Sequence, residues 1–257
     1  MSLRIHALAA VIALATPGGV LAQGRDVGGT ISLKKRLHIN TLITAPGTIE
    51  IDWASTYSFS SGGLLMPTAL KYTPRGRHDW WGRTEYSLSF NSYDSSGSQF
   101  GQSATLTGTC VLRDGETLDI AIAPQVTAFL RDERGVRMGA TAIARWDVGR
   151  NSIGTTFGWS GATHSSPTNP AGTMDVGAGF GRRLAAGGWL GHFSPHVNAG
   201  WERSTGVGRI ASLLEGVEYQ IVDQVAFDVS ALQVAAFGQA PDRQVVFGLT
   251  VNLGHPR

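Results

Sequence analysis

From Pro46-Gly47 onward the chain alternates apolar and polar residues with a period of two, and hardly pauses before its end. The first segment sets Ile49, Ile51, Trp53, Tyr57 and Phe59 on one face and Glu50, Asp52, Thr56 and Ser58 on the other. The second places Lys71 against Met66, Leu70 and Tyr72, and the third Glu85 against Tyr86, Leu88 and Phe90. The fourth opposes Leu106, Cys110 and Leu112 to a row of Ser and Thr, and ends at the turn Arg113-Asp114-Gly115. In the fifth Asp119 opposes Leu118, Ile120 and Ile122; in the sixth Arg137, Arg145 and Asp147 oppose Val136, Met138, Trp146 and Val148. The seventh carries Ile153, Phe157 and Trp159, and the eighth sets Asp175, Gly177, Gly179 and Arg183 against Met174, Val176 and Phe180. The ninth opposes His192, Ser194, His196, Asn198 and Glu202 to Trp189, Phe193, Val197 and Trp201. The last three, starting at Leu213, Val225 and Gln244, place Glu218, Asp228 and Asn252 on their polar faces. The pattern predicts an all-β chain of about twelve strands of roughly ten residues, long enough to cross a bilayer at the usual tilt.

A soluble barrel shows the same periodicity, so the character of the two faces decides. A water-facing surface is dense in Lys and Glu, whereas the polar face here holds one or two charges per strand among Gly, Ser and Thr. Such a face suits a crowded, hydrated interior. Trp53, Tyr72, Tyr86, Trp146, Trp159, Trp189 and Trp201 stand near strand ends, where membrane-interface girdles lie. Lipid then requires closure, because an open strand edge leaves backbone groups unpaired at several kcal/mol each. The expectation is a single closed antiparallel transmembrane β-barrel. An outward-running first strand puts the turns after strands four, six, eight and ten on the periplasmic side, all short, and longer ones outside after strands three, seven and nine.

The start of the chain changes the picture of its origin. Arg4 and His6 precede the small, apolar run Ala7 to Thr16, and Val20-Leu21-Ala22 reads as a cleavage site before Gln23. This is the pattern of a secretory signal peptide, too short for a membrane helix. The mature chain of about 235 residues then suits one barrel. Its near-neutral charge offers no basic patch for nucleic acid. The lone Cys110 excludes an intramolecular disulfide and a multi-cysteine metal site, and reads as a small apolar residue on a strand face.

Several short stretches carry a resemblance. Ile39-Asn40-Thr41, Pro46-Gly47-Thr48 and Pro67-Thr68-Ala69-Leu70-Lys71-Tyr72 resemble the opening of the outer-membrane transporters of the phenol-degradation meta-pathway family. Gly216-Val217-Glu218-Tyr219, Asp223, Ala240-Pro241-Asp242 and Phe247-Gly248-Leu249 resemble that family's last three strands. The likeness implies passive uptake of small solutes, aromatic compounds among them. The chain departs from it by ending on Gly254-His255-Pro256-Arg257 rather than on an aromatic residue.

Chemistry beyond transport has few footholds. His192 and Ser194 fall two apart, as in lipid-cleaving outer-membrane barrels, but such catalysis needs a third group and a lipid-facing pair, whereas parity puts both on the polar face. His192 and His196 stand roughly 13 Å apart on a strand and cannot share a metal ion. The run Gly177, Gly179, Gly181 lies on a strand and serves packing or bending of the wall. No catalytic residue, metal or cofactor is assigned. The residues predicted to line the interior are Glu50, Asp52, Lys71, Glu85, Asp119, Arg137, Arg145, Asp147, Asp175, Arg183, His192, His196, Glu202, Glu218 and Asp228.

The chain thus divides into a signal peptide (1–22), a periplasmic or plug segment (23–46) with Lys34-Lys35-Arg36 at its centre, the barrel (47–254) and a tail (255–257). It is expected in the cell outer membrane as a passage for small, including aromatic or hydrophobic, solutes. The alternatives are a structural or surface-interaction barrel and a lipid-cleaving enzyme. Outer-membrane lipid, the barrel-assembly machinery and a small-molecule solute are the expected partners.

Overall fold

The computed structural model describes residues 43–60, 62–75, 81–94, 103–129, 135–165, 170–184, 187–206, 208–222, 224–237 and 241–254. The stretch expected to be a signal peptide (1–22), Lys34-Lys35-Arg36 and the tail 255–257 lie outside them. Twelve strands follow one another: β1 (Ile49–Ser58), β2 (Leu64–Tyr72), β3 (Thr84–Asp94), β4 (Ser103–Arg113), β5 (Leu118–Phe129) and β6 (Val136–Val148), then β7 (Asn151–Ala162), β8 (Gly172–Arg182), β9 (Phe193–Ser204), β10 (Gly208–Val222), β11 (Val225–Ala236) and β12 (Asp242–Leu253). Each pairs antiparallel with its sequence neighbours, and β1 closes on β12 from Ile49↔Leu253 to Ser58↔Gln244. The predicted closed antiparallel barrel is the observed fold. Twelve strands at about 4.8 Å spacing and about 40° tilt put opposing backbones roughly 24 Å apart.

The period of two becomes an inside and an outside. In β1, Glu50, Asp52, Ala54, Thr56 and Ser58 are buried while the residues between them are not, and β7 and β8 alternate in the same way. The outward face is apolar, with Leu106, Met138, Phe157, Trp159 and Val176 among its exposed side chains. Interruptions have local causes. The β2–β3 register shifts between Met66 and Pro67, where proline has no N–H for a regular ladder. Between β6 and β7 the two-residue turn at Gly149 takes φ 60°, which glycine adopts without steric cost.

Two connections differ from the expectation. The one between β8 and β9, predicted short, spans 183–192 and contains a 3-10 turn at Trp189–His192. Gly188, at φ 68°, turns the chain there, so the alternating look of Trp189 to His192 is not a strand. Conversely β10 reaches back to Gly208, leaving only 205–207 between β9 and β10 where a longer loop was expected.

Just ahead of β1 the chain enters the barrel. Ile43 is fully buried in a cluster with the inward-facing Val111, Ala121, Ala123 and Ile143 of β4 to β6. The Thr44 amide donates to Glu85 Oε2 at 2.6 Å, its hydroxyl meets that of Thr73 at 2.7 Å, and the Gly47 amide donates to the Thr73 carbonyl at 2.6 Å.

Candidate functional site: the charged interior

Thirteen of the fifteen predicted lining residues are buried on the strands, and two are not. Arg183 stands one residue past the end of β8, half-buried at the rim, with its amide donating to the Arg150 carbonyl at 3.0 Å. His192 belongs to the exposed 3-10 turn, where its Nδ1 lies 2.9 Å from the Gln220 carbonyl. Both are corrections to the wall assignment with one cause: strand parity was extended into a connection. The same turn separates His192 from Ser194, which is buried at the start of β9, so the structure does not present them as a pair on one strand face.

On β1 and β2, Lys71 bridges two carboxylates, with Nζ 2.5 Å from Asp52 Oδ2 and 3.1 Å from Glu50 Oε1. Glu50 and Lys71 are direct cross-strand partners, as are Asp119 and Arg145 on β5 and β6. Arg145 also meets Asp147 at 2.8 Å and donates to Ser152 Oγ at 3.1 Å. Arg137 donates to Ser160 Oγ at 3.0 Å, Thr173 Oγ1 at 3.1 Å and the Pro170 carbonyl at 2.7 Å, tying β6 to β7 and β8. This part of the wall pairs opposite charges, the favourable cross-strand arrangement.

The wall from β8 to β11 is different. Asp175 stands directly across from Glu202 on the β8–β9 ladder, and Glu218 directly across from Asp228 on the β10–β11 ladder, so two like-charged pairs flank the β9–β10 ladder, one toward each end of the wall. Glycine makes room for the first: a Cβ on Gly158 would lie 2.2 Å from Asp175 Oδ2. His196 is a buried imidazole on this part of the wall, with Nε2 3.6 Å from Asp228 Oδ2 and 3.3 Å from Ser230 Oγ, while Ser230 donates to Asp228 Oδ1 at 2.5 Å. Ser204 donates to Glu202 Oε1 at 2.6 Å. Across the described residues the buried set holds nine carboxylates against Lys71, Arg137 and Arg145, so the interior is acidic and the excess is concentrated on one arc. The glycines Gly177, Gly179 and Gly181 lie buried on the inner face of β8, which leaves that arc low in side-chain bulk.

Sequence reading missed a second feature of the interior. Leu214, Leu232, Val234 and Val246 are at most 2% exposed on the inner faces of β10 to β12, and Ile143 and Val111 stand on β6 and β4. The interior is therefore amphipathic. A signal existed in the chain, since Ile143 and Leu214 break the polar face by parity, but apolar neighbours on both sides mask such positions.

Neither a protein-family model nor a curated protein matches the chain. Solved structures do. The NanC porin superposes with TM-score 0.58 at 8% identity, over 79% of this chain and 100% of its own. An outer-membrane channel of Pseudomonas putida F1, COG4313, gives TM-score 0.55 at 11% identity over 82% and 97% of the two chains. The KdgM porin gives 0.53 at 9% identity over 80% and 99%. The chain has the β-barrel fold of outer-membrane porins and channels.

Proposed function

We propose that this protein is an outer-membrane channel giving passive passage to small solutes, with an interior that favours cations and accommodates an apolar body. The observation that carries the reading is the closed wall whose outer face is apolar and whose inner face is charged. Only a membrane explains that inversion, since a water-soluble barrel puts its apolar face inside. Export then begins with a signal peptide cut near Ala22, and outer-membrane lipid and the barrel-assembly machinery are its partners on the way. The two acidic pairs, Asp175 with Glu202 and Glu218 with Asp228, stand toward opposite ends of the wall and attract positive charge at both levels of the passage. The aliphatic patch at Leu214, Leu232, Val234 and Val246 suits a hydrophobic or aromatic solute, the class implied by the resemblance to the phenol-degradation meta-pathway transporters.

The similar porins lend support through their fold, and the KdgM porin was solved in complex with disordered oligogalacturonate, a soluble sugar acid. An acidic arc would repel such a polyanion, so the solute class proposed here is a different one. The test is reconstitution. Purified, refolded protein in planar bilayers should conduct with cation preference, and liposomes carrying it should take up small aromatic amines faster than aromatic acids. A folded barrel that conducts nothing and admits neither solute would overturn the channel reading and leave a structural barrel.

A further inference from the structure

Among the described residues the outer wall holds one charged side chain, away from the strand ends, that lipid does not accept. The exposed charged side chains on the described strands are Arg113, Arg182, Arg203, Arg209, Glu215 and Arg243. All the arginines stand within two residues of a strand end, where headgroups and water reach them. Glu215 is at the centre of β10. Its cross-strand partner on β9 is Val197, four residues from Phe193 and four from Trp201, so Glu215 lies midway between the two outward aromatic levels. Around it on the same face are Leu213, Val217, Val197 and Ala231. The Glu215 side chain makes no hydrogen bond or ion pair within the described residues.

One neighbour supplies the complementary chemistry. Gln233 on β11 is also exposed on the outer face and is the partner of Leu213, which puts it diagonal to Glu215 and within side-chain reach. Its side chain too makes no hydrogen bond within the described residues. An acceptor and a donor side by side on one patch are self-complementary under a two-fold axis: the amide of one copy meets the carboxyl of the other, twice over. The surround allows close approach, because Ala199, Ala211 and Ala231 keep that part of the wall flat.

We infer that the β9–β11 outer face is a contact surface for a second copy of this chain, with Glu215 and Gln233 exchanging hydrogen bonds across a two-fold axis along the membrane normal. Burial between two barrels satisfies polar groups that hydrocarbon leaves unsatisfied. The inference rests on the membrane reading of the barrel and is independent of what passes through it.

The experiment is thiol cross-linking in outer membranes of cells making the full chain. In a Cys110→Ser background, Ala231→Cys should form a self-adduct of twice the chain mass with a short bis-maleimide. Ala142→Cys, on the outer face of β6, should form none. Glu215→Leu combined with Gln233→Leu should lower the adduct yield about tenfold, while heat-modifiable migration shows the barrel still folded. Absence of the adduct, its formation with another polypeptide, or a yield unchanged by the double substitution would overturn the inference. Fractionation of the same cells separates this outcome from a failure of the membrane reading: protein absent from the membrane refutes that reading instead.

Discussion

Replacing Lys71 with methionine isolates the most concentrated electrostatic arrangement in the wall. The ammonium touches Asp52 at 2.5 Å and Glu50 at 3.1 Å, and both its own side chain and theirs are at most 3% exposed. At an effective dielectric of about 20, contacts of this length each carry on the order of 5–7 kcal/mol of gross attraction. Desolvation of the three ions offsets most of that, so the pairing itself is near neutral for stability. Removing the cation is not neutral. It leaves two carboxylates, on residues about 6.6 Å apart along one strand face and with oxygens drawn together around the same ammonium, buried without that counter-charge, and such truncations cost about 3–5 kcal/mol. Methionine keeps the length of the stem, so little of that is packing. Denaturant unfolding of protein refolded into lipid vesicles measures the loss. Adding Asp52→Asn should recover at least half of it, because one unpaired charge is then gone. A Lys71→Met barrel within about 1 kcal/mol of the parent, or one that Asp52→Asn weakens further, would refute the reasoning.

Three further outcomes are expected. Cysteine scanning along β5 should label Ile120, Ile122 and Val126 from lipid and Asp119, Ala121 and Thr127 from water, and an unpatterned profile would contradict the face assignment. Arg137→Glu with Arg145→Glu removes two of the three buried cations, so reversal potentials in a salt gradient should move toward ideal cation selectivity without loss of the barrel. Because the chain enters the interior at Ile43, deletion of residues 23 to 42 should raise single-channel conductance if that segment occupies the passage, and an unchanged conductance assigns it to the periplasm.

The strands were legible because the side-chain period of a strand is two, and one face is apolar and exposed while the other is polar and buried. Glu50, Lys71, Arg145 and Asp228 follow from parity alone. What parity could not supply is where it stops. Trp189 to His192 alternate as a strand does, yet Gly187-Gly188 lets the backbone turn, and the correct start of β9 at Phe193 costs His192 its place on the wall. The start of β10 failed in the opposite sense: Arg209 faces out and Ile210 in, the reverse of mid-strand order, because a rim is wet outside and packed inside. The acidity of the β8–β11 arc needs register as well as parity. Asp175 and Glu202 lie far apart in the chain, and only the ladder sets them opposite one another.

Closure of β1 on β12 has a kinetic consequence. Eleven of the twelve ladders join sequence neighbours and can form as hairpins zip one onto the next, with short loops to close. The twelfth joins the two ends of the barrel, Ile49 to Leu253, and its loop is the whole of the intervening chain. Until it forms, β1 and β12 are both bare edges, and in hydrocarbon neither can persist unpaired. The seam therefore sets the order of events: it is the last ladder to form and the first to part, and chains cut before Asp242 should stall at insertion rather than yield a smaller barrel.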